Sequence, residues 1–251
     1  MVHDPAKNMA AKVWFVKNMP HEAAGLFSSF AEKEGIPYSI VDLHRGDSFP
    51  EVAWGQAVVV LGGPDSANDA TPKILGELAA LRKCLRDGIP CLGVCLGLQL
   101  LVKAAGGTVF KNPVKEIGFR DPVGAWFEME ITSNGKKDPL LAGIPDPCKV
   151  FQLHGETVGL TSSMARLARG RSCENQIIRI QERVYGIQGH VELNELMFED
   201  WLAADADLLK GDVVELHLDF EAVREELEQS SAIFFRNFLN IAGFSISGRI
   251  S

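Results

Sequence analysis

Ile89-Pro90-Cys91-Leu92-Gly93-Val94-Cys95-Leu96-Gly97-Leu98-Gln99-Leu100-Leu101 is the stretch that decides the fold. The apolar run from Ile89 to Val94 reads as a buried strand, and Leu98, Leu100, Leu101 and Ala104 then follow at helical spacing. Cys95 sits at the turn between them, in the pattern Gly93-x-Cys95-x-Gly97. This is the cysteine form of a strand–elbow–helix motif that presents a nucleophile. The two glycines leave room for a tight turn where side chains would collide. The helix N-terminus beside the sulfur favours thiolate over thiol.

Outward from the elbow, strands and helices alternate. Ala11–Val16, Tyr38–Leu43 and Ala57–Leu61 read as strands, and Glu22–Glu34 and Pro72–Arg86 as helices. This alternation predicts an α/β fold with a mostly parallel sheet covered on both faces. Beyond residue 124 the pattern changes. Ala125–Ile131, Lys149–Leu153, Gln176–Ile180 and Val184–Gln188 read as strands with turn-rich connections, and the chain after 193 reads as helical. Leu216, Phe220, Val223, Leu227, Phe234, Phe238 and Ile241 form an apolar stripe there, opposite an acidic face expected to be solvated. The expected organisation is residues 1–192 as one domain, with 193–251 as its C-terminal helical extension.

A cysteine nucleophile needs a base, an orienting group and donors for an oxyanion. Tyr185 to Glu192 reads as a strand running into a turn, with His190 placed to take the thiol proton. Glu192, two residues on, leaves the strand end on the same side and is suited to fix the imidazole. The oxyanion donors are expected to be the backbone N–H groups of Leu96 and of Gly63, in the turn Gly62-Gly63-Pro64 that ends the neighbouring strand. All of these lie beyond the carboxyl ends of parallel strands, where open α/β sheets bind ligands.

Composition limits the alternatives. Of 251 residues, 46% are hydrophobic and 23% charged, as in an ordinary globular domain. Residues 193–251 carry 12 acidic and 4 basic side chains, which is the whole excess behind the net charge of −8. With no basic stripe, nucleic-acid binding is not expected. No apolar run is long enough for a membrane span. The polar stretch Met1–Lys12 has no signal-peptide core, so a cytoplasmic location is expected. Five cysteines without a Cys-x-x-Cys pair suggest neither a disulfide framework nor a zinc site. No cofactor or metal is expected. Cys84, Cys91 and Cys148 read as core, and Cys173 as incidental in a polar loop. His3, His21, His44 and His217 have no constellation around them in the sequence.

Pro90 to Gln99 satisfies Pro-x-Leu-Gly-x-Cys-x-Gly-x-Gln throughout. Together with Gly62-Gly63-Pro64-Asp65-Ser66, Lys115-Glu116-Ile117-Gly118, Phe151 to Val158 and Tyr185 to Glu192, it resembles the class I glutamine amidotransferase family over residues 57–192. The likeness is greatest to stand-alone proteins that resemble the amidotransferase domain of GMP synthase. It implies a flavodoxin-like, doubly wound fold and a Cys95–His190–Glu192 triad. The implied reaction is hydrolysis of a γ-glutamyl amide through a thioester, with ammonia released from glutamine. By motif position Gln99 would hold the substrate. Gly62 and His154 are expected substrate contacts, with a structural histidine as the alternative for His154. Asn175 and Gln176 are weaker candidates.

The implied partner is a synthetase subunit on a separate chain. These residues hold no P-loop and no Ser-Gly-Gly-x-Asp-Ser pyrophosphatase loop. A homo-oligomer is compatible with the pattern. Gly189 and Val191 stand where the family usually has Phe and Pro. The glycine, shared with plant γ-glutamyl peptidases of the superfamily, is expected to open space beside His190, and the valine to loosen the turn to Glu192. The alternative functions are a stand-alone γ-glutamyl hydrolase or peptidase, and a non-catalytic binding protein on the same fold.

Overall fold

The computed structural model describes residues 12–246. Ala11, the expected start of the first strand, His3, the Met1–Ala11 stretch and the end of the C-terminal extension (residues 247–251) lie outside them. The elements run β1 (Lys12–Lys17), α1 (Gly25–Lys33), β2 (Tyr38–Asp42), β3 (Gln56–Val60), α2 (Pro72–Arg86), β4 (Cys91–Val94), α3 (Leu96–Ala104) and β5 (Thr108–Gly118). Then come β6 (Glu128–Ile131), β7 (Cys148–Lys149), β8 (Gln152–Gly159), β9 (Ala165–Arg169), β10 (Ile177–Gln181), β11 (Val184–Ile187), α4 (Glu195–Ala204) and α5 (Val213–Ala242).

Nine strands form one sheet in the order β2-β1-β3-β4-β11-β10-β9-β6-β7. The first five are mutually parallel, and the rest pair antiparallel. The period-2 alternation of the parallel strands feeds two cores. Val13, Phe15, Ala57, Val59, Leu92, Val94, Tyr185 and Ile187 face α1 and the second half of α5. Val16, Val58, Val60, Cys91 and Val184 face α2 and α3. Both faces being covered explains why these strands read as near-continuous apolar runs.

Helix ends follow local chemistry. The Thr71 hydroxyl accepts from Ile74 N–H ahead of Pro72, the Asn194 side chain accepts from Met197 N–H, and Asp212 caps α5 through Val214 and Glu215 N–H. Gly243, at φ 91°, ends α5 in the left-handed region. The 30-residue α5 carries the expected apolar stripe. Phe220, Val223 and Leu227 pack with Phe119, Phe151, Phe198 and Trp201, while Phe234, Phe235 and Phe238 enter the main core. Phe27 and Phe235 stack with centroids 4.5 Å apart. The acidic face is not wholly solvated. Asp219 is buried against Arg120 Nε at 2.9 Å, and Glu226 reaches Lys149 at 2.7 Å.

Three expectations are corrected. The helix expected from Glu22 starts at Gly25, whose φ is +45° and whose Cβ position is filled by Glu192 O at 2.0 Å. Glu22 therefore precedes the helix. The single strand expected over Lys149–Leu153 is two, with β7 in the large sheet and β8 paired to β5 in a separate two-stranded sheet. Only Glu128–Ile131 of the expected Ala125–Ile131 strand is extended.

Candidate active site

Parallel register brings the ends of β3, β4 and β11 together. Val60 pairs with Gly93, and Ile187 with Val94. Cys95 follows at φ 51°, ψ −107°, the one non-glycine residue with positive φ among the described residues. Its N–H donates to Ile187 O at 2.8 Å, fixing the elbow to β11. The glycines are needed for packing. A Cβ on Gly93 would lie 2.3 Å from the backbone of Gly97, and one on Gly97 would lie 2.1 Å from Val60 O. Strain of this kind persists only where the surroundings over-determine it.

His190 follows β11. Its N–H donates to Phe151 O at 2.8 Å, and its ring Nδ1 lies 2.7 Å from Glu192 Oε1. The Cys95 thiol donates to Leu153 O at 3.9 Å. Trp201 packs on the imidazole at 79°, centroids 4.7 Å apart. Burial alone would lower the pKa of His190, but the charge of Glu192 and the hydrogen bonds to Cys95 and Glu192 outweigh it and hold it well above 6.5. The Gln188 amide donates to Cys95 Sγ at 3.7 Å.

The glycine turn stands against the elbow. The Cβ position of Gly63 meets Asn18 Cβ at 2.8 Å and Leu96 Cδ2 at 3.0 Å. Lys73 Nζ braces this turn, donating to Asp65 at 2.7 Å and to Asn18 O at 2.8 Å. Leu96 begins α3, and the Cys95 side chain makes no capping bond to the first-turn amides. A cavity of about 280 Å³ holds Gly63, Cys95, Gln99 and His154 together. Gln99 Nε2 donates to Glu156 O at 3.1 Å, and His154 Nδ1 faces the same carbonyl at 3.0 Å. His154 Nε2 lies 2.9 Å from Glu116 Oε2, so both of its ring nitrogens already have protein partners. Gly62 packs on the carboxyl of Glu22, whose Oε2 lies 2.1 Å from the glycine's Cβ position. Asn175 and Gln176 do not line this cavity. Asn175 bonds Val158 O and Arg166, and Gln176 reaches Glu116 at 3.4 Å.

Two expectations at the departures are overturned. Gly189 opens no space, because its Cβ position is filled by Val150 Cγ2 at 2.4 Å and Phe151 O at 3.1 Å. Val191 does not loosen the turn. It is buried in the main core, and Glu192 O accepts from Leu26 N–H at 2.7 Å.

Cys173 is also corrected. It lies in the loop before β10 as expected but is fully buried there, and burial pushes its thiol up to about 11. It forms a cluster with Glu116 and His154, whose donor atoms lie within 4.8 Å of one another. These are zinc-type ligands, but the 2.9 Å between His154 Nε2 and Glu116 Oε2 is a hydrogen-bond length. Two ligands at about 2.0–2.2 Å from a tetrahedral ion stand farther apart than that. His217 does have partners, Val213 O at 2.7 Å within α5 and Glu199 at 2.9 Å, which links α5 to α4.

Sequence reasoning missed Glu22. It is 7% exposed, and burial pushes its carboxyl up to about 7, with His190 and Lys73 opposing and Glu192 and Asp205 adding. Its position just after β1, at the carboxyl edge of the sheet, is the signal that could have found it.

The model of the class-I glutamine amidotransferase family matches residues 33–199. The chain is 30% identical over 187 residues to the glutamine amidotransferase-like protein YfeJ of Salmonella typhimurium, covering 72% of this chain and 75% of that protein. It is 32% identical over 159 residues to one subunit of the glutamine-hydrolysing GMP synthase of Methanoculleus marisnigri, covering 60% of this chain and 76% of that protein. Against longer GMP synthases the match spans 24% to 37% of the relative's length. A crystal structure of a glutamine amidotransferase from Thermotoga maritima superposes with a TM-score of 0.80 at 25% identity, over 92% of this chain and 99% of that one. No helix among the described residues is long and apolar enough to cross a membrane.

Proposed function

Because the chain belongs to the class-I glutamine amidotransferase family, we propose that it hydrolyses the γ-amide of glutamine through a Cys95 thioester and releases ammonia for a synthetase on another chain. The observation that carries this reading is the strained Cys95 elbow at the end of β4, with the buried His190–Glu192 pair just beyond the end of its parallel neighbour β11.

His190 takes the thiol proton while Glu192 holds Nδ1–H and stabilises the imidazolium. The sulfur attacks the γ-carbonyl carbon, and the oxyanion is received by the N–H groups of Gly63 and Leu96. His190 then gives its proton to the leaving nitrogen as the C–N bond breaks. Water hydrolyses the thioester, yielding glutamate and restoring the thiol. Gln99 and His154 shape the glutamyl pocket by holding Glu156 O, whereas Gly62 does not line it and packs on Glu22.

The synthetase partner is supported by the likeness to the Methanoculleus protein, which is one subunit of a GMP synthase. The test is glutamate release from glutamine. Wild type should be active and Cys95→Ser inactive with an unchanged circular-dichroism spectrum; equal release by both would refute the assignment. A second reading, a stand-alone γ-glutamyl hydrolase, uses the same side chains. It is favoured by a second cavity, walled by the Trp201 that packs on His190, which ammonia does not need.

A further inference from the structure

Two cavities meet at the Gly63–Pro64 turn. The first contains Cys95 and Gln99. The second, about 260 Å³, is lined by Met19, His21, Glu22, Trp201 and Asp205. Gly63, Pro64, Leu153 and Asp205 border both, so one molecule lying over the turn enters both.

Amide cleavage dictates which part goes where. The γ-carbonyl carbon must reach Cys95 in the first cavity, and the leaving nitrogen must meet the proton on His190. Trp201, packed on that imidazole, is a wall of the second cavity. The second cavity therefore lies on the leaving-group side. Ammonia has no use for such a volume, since a molecule of water size takes about 30 Å³.

The lining specifies the chemistry. Glu22 lines the cavity and is more than nine-tenths buried, its Oε2 packed on Gly62 without a hydrogen-bond partner. Asp205 adds a second carboxyl, and no lysine or arginine lines the cavity. The Trp201 ring and the Met19 thioether suit an alkyl chain ending in a cation. Resting on the hydrolase reading above, we propose that the second cavity is a leaving-group site for an organic amine bearing a positive charge, with Glu22 as its recognition group. The substrate class is then the γ-glutamyl monoamide of a diamine. Cys95 forms the thioester, the amide C–N bond breaks, His190 protonates the departing amine, and water completes hydrolysis to glutamate. A leaving group carrying a carboxylate, as in a γ-glutamyl amino acid, meets Asp205 with like charge, brings Glu22 no cation and is disfavoured.

The test compares kcat/KM for glutamine, γ-glutamylglycine and the γ-glutamyl monoamide of 1,3-diaminopropane. Wild type should prefer the cationic amide over γ-glutamylglycine by about tenfold or more, the scale of one charge-assisted contact. Glu22→Gln should erase most of that ratio, and Asp205→Asn should reduce it, which keeps the test intact where Glu22→Gln fails to fold. Turnover of glutamine with no cationic preference, or a preference unchanged in the variants, overturns the proposal. Calorimetric binding of free 1,3-diaminopropane separates the two readings. If no γ-glutamyl compound is hydrolysed, the hydrolase reading fails. Diamine binding that Glu22→Gln abolishes then still supports the amine site, and absence of binding overturns it.

Discussion

His190 Nδ1 stands 2.7 Å from Glu192 Oε1, with each residue 1% exposed. Shielding from water makes the charge of Glu192 strong enough to override the burial penalty and hold the imidazole pKa well above 6.5. Replacing Glu192 by Gln keeps the volume and removes the charge. The expected outcome is a fall of about 10²- to 10⁴-fold in kcat for glutamine hydrolysis, the range for losing an orienting carboxylate. Stability gives a second readout. A histidine whose folded pKa is raised contributes stability that is complete below 6.5 and is lost as pH rises through the folded value. Urea unfolding from pH 6 upward should show that decline in wild type and a flatter profile in Glu192→Gln.

Glu77 moves stability in the same direction with pH, but because burial favours its neutral form. Its carboxyl is 1% exposed, and neither oxygen has a hydrogen-bond partner. Burial pushes it up to about 7, with Asn18 and Lys73 opposing and Asp65 adding. Between pH 4.5 and about 7 the folded state keeps a proton that the unfolded chain has lost, so stability falls over that window and levels off above it. At about 1.36 kcal/mol per unit the loss is roughly 3 kcal/mol. Glu77→Gln should be more stable than wild type at pH 8 and close to it at pH 4.5, as measured by denaturant midpoints.

The parallel half of the fold was legible because its strands are buried on both faces and its helices keep a clear 3.6-residue period. Pro72–Arg86 matches α2 end to end. β5 was not legible as a strand. Its burial is irregular, it contains Pro113, and its pairing with β8 shifts register between Lys111 and Glu116. β9, Ala165–Arg169, is too short and mixed to register. At the candidate site, the elbow at Cys95 and the pairing of His190 with Glu192 were legible because each lies just beyond a strand end within a tight motif. Glu22 was not, because its burial depends on Gly25 bringing the chain onto Glu192 O, a contact 167 residues away in sequence.

The Glu116–His154 pair sits between two cavities. His154 borders the one containing Cys95, and Glu116 borders another of about 390 Å³ that also contains Trp126, Arg169 and Glu174. Glu116→Leu leaves His154 Nε2 buried without a partner, at a cost of about 1–3 kcal/mol. Glu116→Gln retains a hydrogen-bonding side chain and should lose less. Chemical denaturation of both variants checks this order. Activity should fall with Glu116→Leu, because His154 and Gln99 share Glu156 O.

Gly189 offers the sharpest test of packing next to His190. Its Cβ position meets Val150 Cγ2 at 2.4 Å, Gln152 Oε1 at 3.0 Å and Phe151 O at 3.1 Å. The same Phe151 carbonyl accepts the His190 N–H at 2.8 Å. A methyl group at 189 therefore pushes on the strand that positions the imidazole. Gly189→Ala should lower stability by about 1–3 kcal/mol, the usual scale of overpacking, and reduce kcat more than it changes KM. Removing the opposing methyl groups with Val150→Ala in the same chain relieves the closest contact. The double variant should be more stable than the sum of the two single losses predicts, a coupling that thermal unfolding of all four proteins measures. Strict additivity would show that the space beside His190 is not closed by Val150.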